Sequence, residues 1–169
     1  MIVAAFTELA QQQRYGTIKV ADLVNAAGVA RSTFYENFRS KDEVLVAAMQ
    51  PILLALATAS SGRAARSYVK ATVDHLWTRR SMTRPLLDSP AGRVMERHLA
   101  RAVADHGIPF GAGSEVPLYA VGIAASQLAM LRTWLAGKVT VTADKVTDHL
   151  IACAHLRSKD VGISEGHRS

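Results

Sequence analysis

The stretch that decides the fold is GVARSTFYENFRSKDEV, residues 28–44. It opens with Gly28, and glycine readily adopts the positive φ that a tight turn between two helices requires. The residues after this turn predict a helix of about two turns over 30–38. Helical spacing places Phe34 and Phe38 on one side of it. The other side carries hydrogen-bonding groups, namely Arg31, Ser32, Tyr35 and Glu36.

Two more short helices are predicted before this stretch. The first has an apolar face formed by Val3, Phe6, Leu9 and Ala10. We expect it to close over 14–17, with Gly16 as a left-handed stop. The second spans about 20–27, and its small residues allow the third helix to cross closely. A helix, a tight turn at Gly28 and a second short helix form a helix-turn-helix.

The rest of the chain also has helical periodicity and no sustained strand alternation. Ser40 and Glu43 form a capping box that opens a fourth helix, which reaches about residue 58 and is kinked or divided at Pro51. Further helices are predicted over about 64–82, 91–106, 118–137 and 143–156, the last capped by Thr142. Breaks are expected at 60–62, 85–90 and 107–117. The sequence therefore predicts an all-α fold in which a compact three-helix segment precedes a bundle of longer helices.

Composition limits the class of protein. The chain has 169 residues, a net charge of +6 and 49% hydrophobic residues, enough for a sizeable core. Cys153 is its only cysteine, which excludes an intramolecular disulfide and fits a reducing compartment. The uncharged run over 116–131, which ends at Arg132, is shorter than the ~20 residues of a membrane-spanning helix. We recognise no signal peptide, and we expect a cytoplasmic protein without a membrane partner.

The polar side of the third helix suits nucleic acid. Hydroxyl and guanidinium donors of this size reach phosphates and base edges in a major groove. Arg31 can also donate two parallel hydrogen bonds to a guanine. An amphipathic helix packed on a bundle would have the same periodicity, so the pattern alone leaves both interpretations open.

The run TIKVADLVNAAGVARSTFYENFRSKDEVL, residues 17–45, resembles the TetR family of transcriptional regulators. The resemblance implies a helix-turn-helix DNA-binding domain over 1–44 and a helical ligand-binding and dimerisation domain over 45–157. The polar composition of residues 158–169 predicts a flexible tail. It also implies a repressor that binds a palindromic operator on double-stranded DNA as a homodimer. A small-molecule effector of unknown identity would release it.

The resemblance assigns roles to individual residues. Val29, Phe34 and Phe38 match core positions. The DNA-binding positions it implies are Lys19 and Lys41 at phosphates and Ala30, Arg31, Ser32, Thr33 and Tyr35 in the groove. The sequence departs from the family pattern in three places. Lys19 replaces a hydroxyl residue, Val24 replaces a small alanine, and Met1 begins inside the first helix.

The second half predicts a dimer and an effector site. The segment YAVGIAASQLAMLRTWL, residues 119–135, is apolar on all sides, so we expect the last two helices to pair with those of a second copy. The alternative is the central helix of a monomer. Residues 62–106 hold nine Lys/Arg against four Asp/Glu, which is typical of a solvated face but also favours a neutral or anionic effector. Candidate ligand-binding residues are Tyr68, His75, Trp77, Met82, Met95 and His98.

Two other classes of protein remain as alternatives, a helical enzyme and a helical adaptor that does not bind DNA. The pattern Ser67-x-x-Lys70 fits a hydrolase motif, but its companion motifs are missing. The histidines lack the spacing of a helical metal pair, and there is no cysteine cluster or glycine-rich phosphate loop. The sequence therefore predicts no catalytic residues, metal site or cofactor.

Overall fold

The computed structural model describes residues 1–106 and 115–155, and every regular element in these ranges is a helix. The prediction of an all-α fold is confirmed. The helices are α1 (Ile2–Gln12), α2 (Val20–Ala27), α3 (Arg31–Asn37), α4 (Lys41–Ala59), α5 (Arg66–Thr78), α6 (Arg80–Asp88), α7 (Pro90–Asp105), α8 (Leu118–Leu135) and α9 (Ala143–Ala152). Most of the predicted loop over 107–117, the predicted helix end at 156 and the predicted tail over 158–169 lie outside the described residues.

The two turns of the N-terminal segment are built differently. α2 ends at Gly28, whose φ of 63° is the predicted left-handed conformation. α1 ends at Gln13 in an extended conformation, and Gly16 does not have a positive φ. The prediction that Gly16 is a left-handed stop is therefore wrong. Instead, the Thr17 N–H donates to the Arg14 carbonyl at 3.0 Å, which closes a turn over residues 13–17.

The start of α2 is capped by a carboxylate. The Lys19 side chain has no acceptor atom, so it cannot cap the helix. Asp22, in the first turn, accepts a hydrogen bond from the Lys19 backbone N–H at 2.8 Å. The Thr17 hydroxyl donates to the Arg14 carbonyl at 2.8 Å and so belongs to the turn before α2.

The start of α4 has the predicted Ser40 cap. The Ser40 hydroxyl accepts from the Glu43 N–H at 3.4 Å. The Glu43 carboxylate bonds the Arg39 N–H at 2.8 Å, one residue earlier than in a standard capping box. The prediction of the cap is confirmed, with its reciprocal bond displaced by one residue.

α4 connects the N-terminal segment to the bundle without a break. Its 19 residues run through Pro51, so the helix does not end and restart there. It is long and apolar enough, by length and composition alone, to cross a membrane. Seven of its residues, among them Val44, Leu45, Leu53 and Leu56, are nevertheless buried in the core of the protein, whereas Leu54 is exposed. The helix packs against α1, α5 and α7, as expected of a central core helix.

The predicted interruption over 85–90 is wrong in its extent. Pro85 lies inside α6, and the actual break before that helix is at Arg79. The junction between α6 and α7 is a single residue, Ser89, whose hydroxyl accepts from the Ala91 N–H at 3.1 Å. Pro90 then occupies the first turn of α7, where its missing N–H costs no helical bond.

The α6–α7 junction depends on Gly92. A Cβ atom at this position would lie 2.1 Å from the Leu87 carbonyl oxygen and 2.9 Å from the Arg132 guanidinium. The same carbonyl accepts a hydrogen bond from the Arg132 Nε at 3.2 Å, so it cannot move freely. Glycine therefore allows α6, α7 and α8 to meet at this point.

Gly92→Ala should lower the free energy of unfolding by about 1–3 kcal/mol, as overpacking against fixed neighbours does. Denaturant unfolding followed by circular dichroism measures this change. Gly16→Ala is the matched control, because a Cβ there meets nothing within 4 Å. Equal stability of the two variants would contradict the close approach at Gly92.

The C-terminal helices are joined by buried polar contacts. Gln127 of α8 is fully buried, and its amide donates to the carbonyls of Leu56 in α4 (3.0 Å) and Leu150 in α9 (3.3 Å). On the surface, Arg66 of α5 pairs with Asp144 (3.0 Å) and Asp148 (2.7 Å) of α9. These contacts fix α9 against α4, α5 and α8.

Candidate nucleic-acid interface and adjoining cavity

Aromatic residues hold α3 on the N-terminal segment. Phe34 is 0% exposed, and its ring packs against that of Phe38 with 6.0 Å between centroids. Val29 and Phe38 are half-buried against the same core. An isolated helix of seven residues is not stable in water, so this anchoring is what keeps α3 folded. The predicted inward side of the helix is confirmed.

The opposite side of α3 faces solvent. Tyr35 is 49% exposed, and the Arg31 guanidinium lies 5.8 Å from the centroid of its ring. Thr33 is half-buried. The remaining groove-facing candidates, Ala30, Arg31 and Ser32, are exposed together with Glu36. The structure therefore brings the five groove-facing candidates onto one short projecting element.

The two lysines predicted to meet phosphates are placed differently. Lys19 is exposed at the start of α2. Lys41 is half-buried, and its ammonium donates to the carbonyls of Tyr15 (3.0 Å) and Ile18 (2.9 Å). The ammonium also lies 4.5 Å from the centroid of the Tyr15 ring. Only one of its three N–H groups is left for a phosphate. The main contacts of the Lys41 ammonium are therefore with the segment that precedes α2.

A second contact joins the same two segments. The Tyr15 hydroxyl donates a hydrogen bond to the Asp42 carboxylate in the first turn of α4. Burial, together with this carboxylate, raises the pKa of Tyr15 well above its usual value. The phenol therefore stays protonated at neutral pH and remains a donor. Sequence reasoning missed this contact because its partners are 27 positions apart.

A short helix anchored by buried rings and exposing Arg31, Ser32 and Tyr35, preceded by a tight turn and a second helix, defines a helix-turn-helix DNA-binding protein. A family model described as bacterial regulatory proteins, tetR family, matches residues 2–48, which span α1 to α3 and the start of α4. The match is confined to this N-terminal segment and supports a DNA-binding transcriptional regulator whose helix-turn-helix is similar to that of the tetR family. No curated protein matches the chain.

A cavity of about 570 Å³ lies beside the DNA-binding segment. We call it the α1–α7 cavity, because its walls come from the end of α1, the 13–17 turn, the middle of α4, the end of α5, α6 and the start of α7. Its volume is in the range of small-molecule sites. Its apolar walls include Phe6, Ala10, Met49, Ile52, Leu76 and Leu86.

Two of the six predicted ligand-binding residues line this cavity, His75 and Met82. The other four lie elsewhere. Tyr68 and His98 are exposed outside it, and Met95 is 1% exposed in the core. Trp77 stacks on Trp134 with 4.6 Å between ring centroids. The structure therefore does not bring the six candidates together.

The cavity also has polar lining residues that the sequence did not single out. Among them are Arg14 and Thr17 in the 13–17 turn and Arg79 at the end of α5. Arg79 lies more than 60 positions from Arg14 and Thr17 in the chain, so no local sequence signal could have identified this convergence.

The Ser67-x-x-Lys70 pattern does not form a nucleophile and base. The Lys70 ammonium donates to both oxygens of Asp74, at 2.8 and 2.7 Å. The hydrogen bond with Asp74 raises the pKa of Lys70, whereas a lysine that acts as a base needs a lowered one. Within 1–106 and 115–155, no three His, Cys, Asp or Glu side chains cluster as metal ligands would.

Proposed function

We propose that the protein is a ligand-responsive repressor in the cytoplasm, which binds a palindromic operator as a homodimer and is released by a small-molecule effector. The observation that carries this proposal is the outward row of Arg31, Ser32 and Tyr35 on a helix fixed by the buried Phe34. In this proposal residues 1–44 bind DNA and residues 45–157 bind the effector and the second copy. The continuous α4 crosses the boundary and connects the two units.

The surface of α8 supports the homodimer. α8 contains one charged residue, Arg132, and that residue is bound internally to the Leu87 carbonyl and to Glu96. Its outward side is an apolar stripe formed by Leu118, Val121, Gly122, Ala125 and Ala129. Leu118 is 85% exposed and Val121 is 41% exposed. A second copy of α8 would cover this stripe, while α9 adds the exposed Ala152 at its end.

A homodimer also suits the small size of α3. A two-turn helix contacts only a few base pairs, so one copy gives little specificity. Two copies held about 34 Å apart insert into successive major grooves and together recognise a palindrome.

Selection of bound duplexes from a random DNA pool tests this function. We expect a palindromic sequence to be enriched, with half-sites one helical turn apart. Its binding constant should fall steeply with salt, because each phosphate contact contributes about −0.9 to the log–log slope. Failure to enrich any sequence, combined with a shallow salt slope, would favour the adaptor alternative and overturn the proposal.

Arg31→Ala should cost about 1–3 kcal/mol at one base pair of each half-site, the contribution of one bidentate base contact. The variant should lose discrimination at that base pair and keep it elsewhere. Comparison of its selected sequences with those of the parent protein measures this directly. Arg39→Ala is the control, because it removes an equal charge from an exposed residue outside α3. An unchanged preference at every position in Arg31→Ala would rule out its role in base recognition.

The position of the α1–α7 cavity supports effector control. One of its walls is the 13–17 turn, which Lys41 and Tyr15 attach to the start of α4 next to the DNA-binding helices. A ligand that prefers one position of this turn would shift the population of DNA-competent dimers. The size of the shift equals its differential affinity, with about 1.4 kcal/mol for each tenfold change.

A further inference from the structure

The residues that line the α1–α7 cavity show an imbalance of charge. Arg14, His75 and Arg79 are among them, and none of the described residues that line the cavity is an aspartate or a glutamate. An organic cation would find no counter-charge in this site, whereas an anion would find two guanidinium groups. From this distribution we infer that the cavity binds an amphipathic organic anion, a carboxylate attached to a hydrocarbon body. The inference names the effector class and so rests on the proposed function.

The two arginines are available to a ligand. Arg14 and Arg79 are both exposed, and within the described residues neither guanidinium has a hydrogen bond or an ion pair. Several other arginines of the bundle are engaged: Arg66 binds Asp144 and Asp148, and Arg84 lies 3.9 Å from Asp88. The contrast matters because a planar guanidinium without a partner matches a carboxylate in a bidentate geometry.

The remainder of the cavity suits a hydrocarbon body. Phe6 and Ala10 of α1 form one wall, and Met49 and Ile52 of α4 form another. Leu76, Met82 and Leu86 complete the apolar surface. Methionine and leucine side chains adapt to an apolar ligand without requiring a hydrogen bond. An acyl chain on these walls would remove apolar surface from water, which favours binding.

The charged end of such a ligand lies where it can act on DNA binding. Arg14 belongs to the 13–17 turn. The carbonyls of Tyr15 and Ile18, which border α2, are both bound to the Lys41 ammonium. A carboxylate that draws Arg14 toward Arg79 therefore pulls on the segment that leads directly into the helix-turn-helix.

Three probes with the same ten-carbon chain test the inference, namely decanoate, 1-decanol and decylamine. Calorimetry on the full-length protein without DNA measures their affinities. We expect decanoate to bind about tenfold more tightly than 1-decanol, a difference of ~1.4 kcal/mol, and decylamine to bind most weakly. Arg79→Gln and Arg14→Gln should each remove most of this preference and leave 1-decanol binding unchanged. Arg84→Gln is the matched control, because Arg84 carries the same charge on α6 but does not line the cavity.

A second measurement connects the site to function. Decanoate should weaken operator binding by the parent protein and by Arg84→Gln, and its effect on Arg79→Gln should be smaller in proportion to the lost affinity. Equal affinities for decanoate and 1-decanol would overturn the inference, and so would a decanoate affinity that neither arginine affects. These results are independent of the DNA selection. Enrichment of a palindrome without decanoate binding would reject the ligand class alone, whereas arginine-dependent decanoate binding without any DNA enrichment would reject the regulatory function and retain the anion site.

Discussion

Phe34→Ala is expected to lower the free energy of unfolding by about 3–5 kcal/mol, the usual cost of replacing a fully buried phenylalanine with alanine. Phe34 is 0% exposed and contacts the rings of both Tyr35 and Phe38. Since α3 is only seven residues long, its helical conformation depends on this side chain. Operator affinity should therefore fall together with stability, although Phe34 itself would not touch DNA.

Tyr35→Ala is the matched control, because it removes a neighbouring aromatic ring that is 49% exposed. This variant should keep most of its stability and still lose operator affinity, since its ring and hydroxyl lie on the outward side. Circular dichroism follows unfolding of all the helices. Tryptophan fluorescence follows the bundle alone, because Trp77 and Trp134 both lie outside the DNA-binding segment. If Phe34→Ala were as stable as the parent protein, the anchoring role assigned to this ring would be wrong.

Local signals explain why the DNA-binding segment could be predicted so closely. Gly28 determines the turn through its own φ, and Ser40 caps α4 through a residue three positions away. The prediction of a left-handed stop at Gly16 was wrong because the end of α1 is set by an extended Gln13 and by hydrogen bonds within the 13–17 turn. The prediction of a helix break at Pro85 was also wrong. This proline lies inside α6, which is held by its packing on α7 and α8.

Long-range packing explains what the sequence could not predict in the candidate sites. The sequence correctly placed the outward side of α3, because helical periodicity alone separates Arg31 from Phe34. The family resemblance implied that Lys41 contacts a phosphate. In the structure, the Lys41 ammonium donates hydrogen bonds to the Tyr15 and Ile18 carbonyls. Tyr68 and His75 are equally plausible as ligand contacts in the sequence. Only the arrangement of α1 and α6 around the end of α5 brings His75, and not Tyr68, to a cavity.

The 13–17 turn is the point where these two sites meet. On one side its residues line the α1–α7 cavity, and on the other it leads through Ile18 into α2. The Tyr15 hydroxyl, which bonds the Asp42 carboxylate, and the Lys41 ammonium, which bonds the Tyr15 carbonyl, hold this turn against the first turn of α4. A change in occupancy of the cavity would therefore reach the DNA-binding helices through a few contacts near α4, without deformation of the whole bundle.

Ala129→Arg is expected to convert the proposed homodimer to a monomer and to lower operator affinity by at least about 10³-fold, the lower end of the ratio between specific and non-specific DNA binding. Ala129 is exposed on the apolar stripe of α8 together with Gly122 and Val121. In a twofold pairing, the same stripe of the second copy would face it. The two introduced arginines would then face each other across the interface. Their like charges would weaken dimer association by several kcal/mol.

Ala71→Arg provides the control for this substitution, because it adds the same side chain to an exposed position of α5, outside the stripe. Sedimentation velocity over a range of concentrations should find dimers for Ala71→Arg and monomers for Ala129→Arg, with similar helix content in both. Operator affinity should be retained by Ala71→Arg and lost by Ala129→Arg, because a single α3 contacts only one half-site. An Ala129→Arg protein that still sediments as a dimer would move the interface away from α8. A monomeric variant that keeps full operator affinity would mean that one copy of α3 is sufficient for recognition, and the palindromic model would then fail.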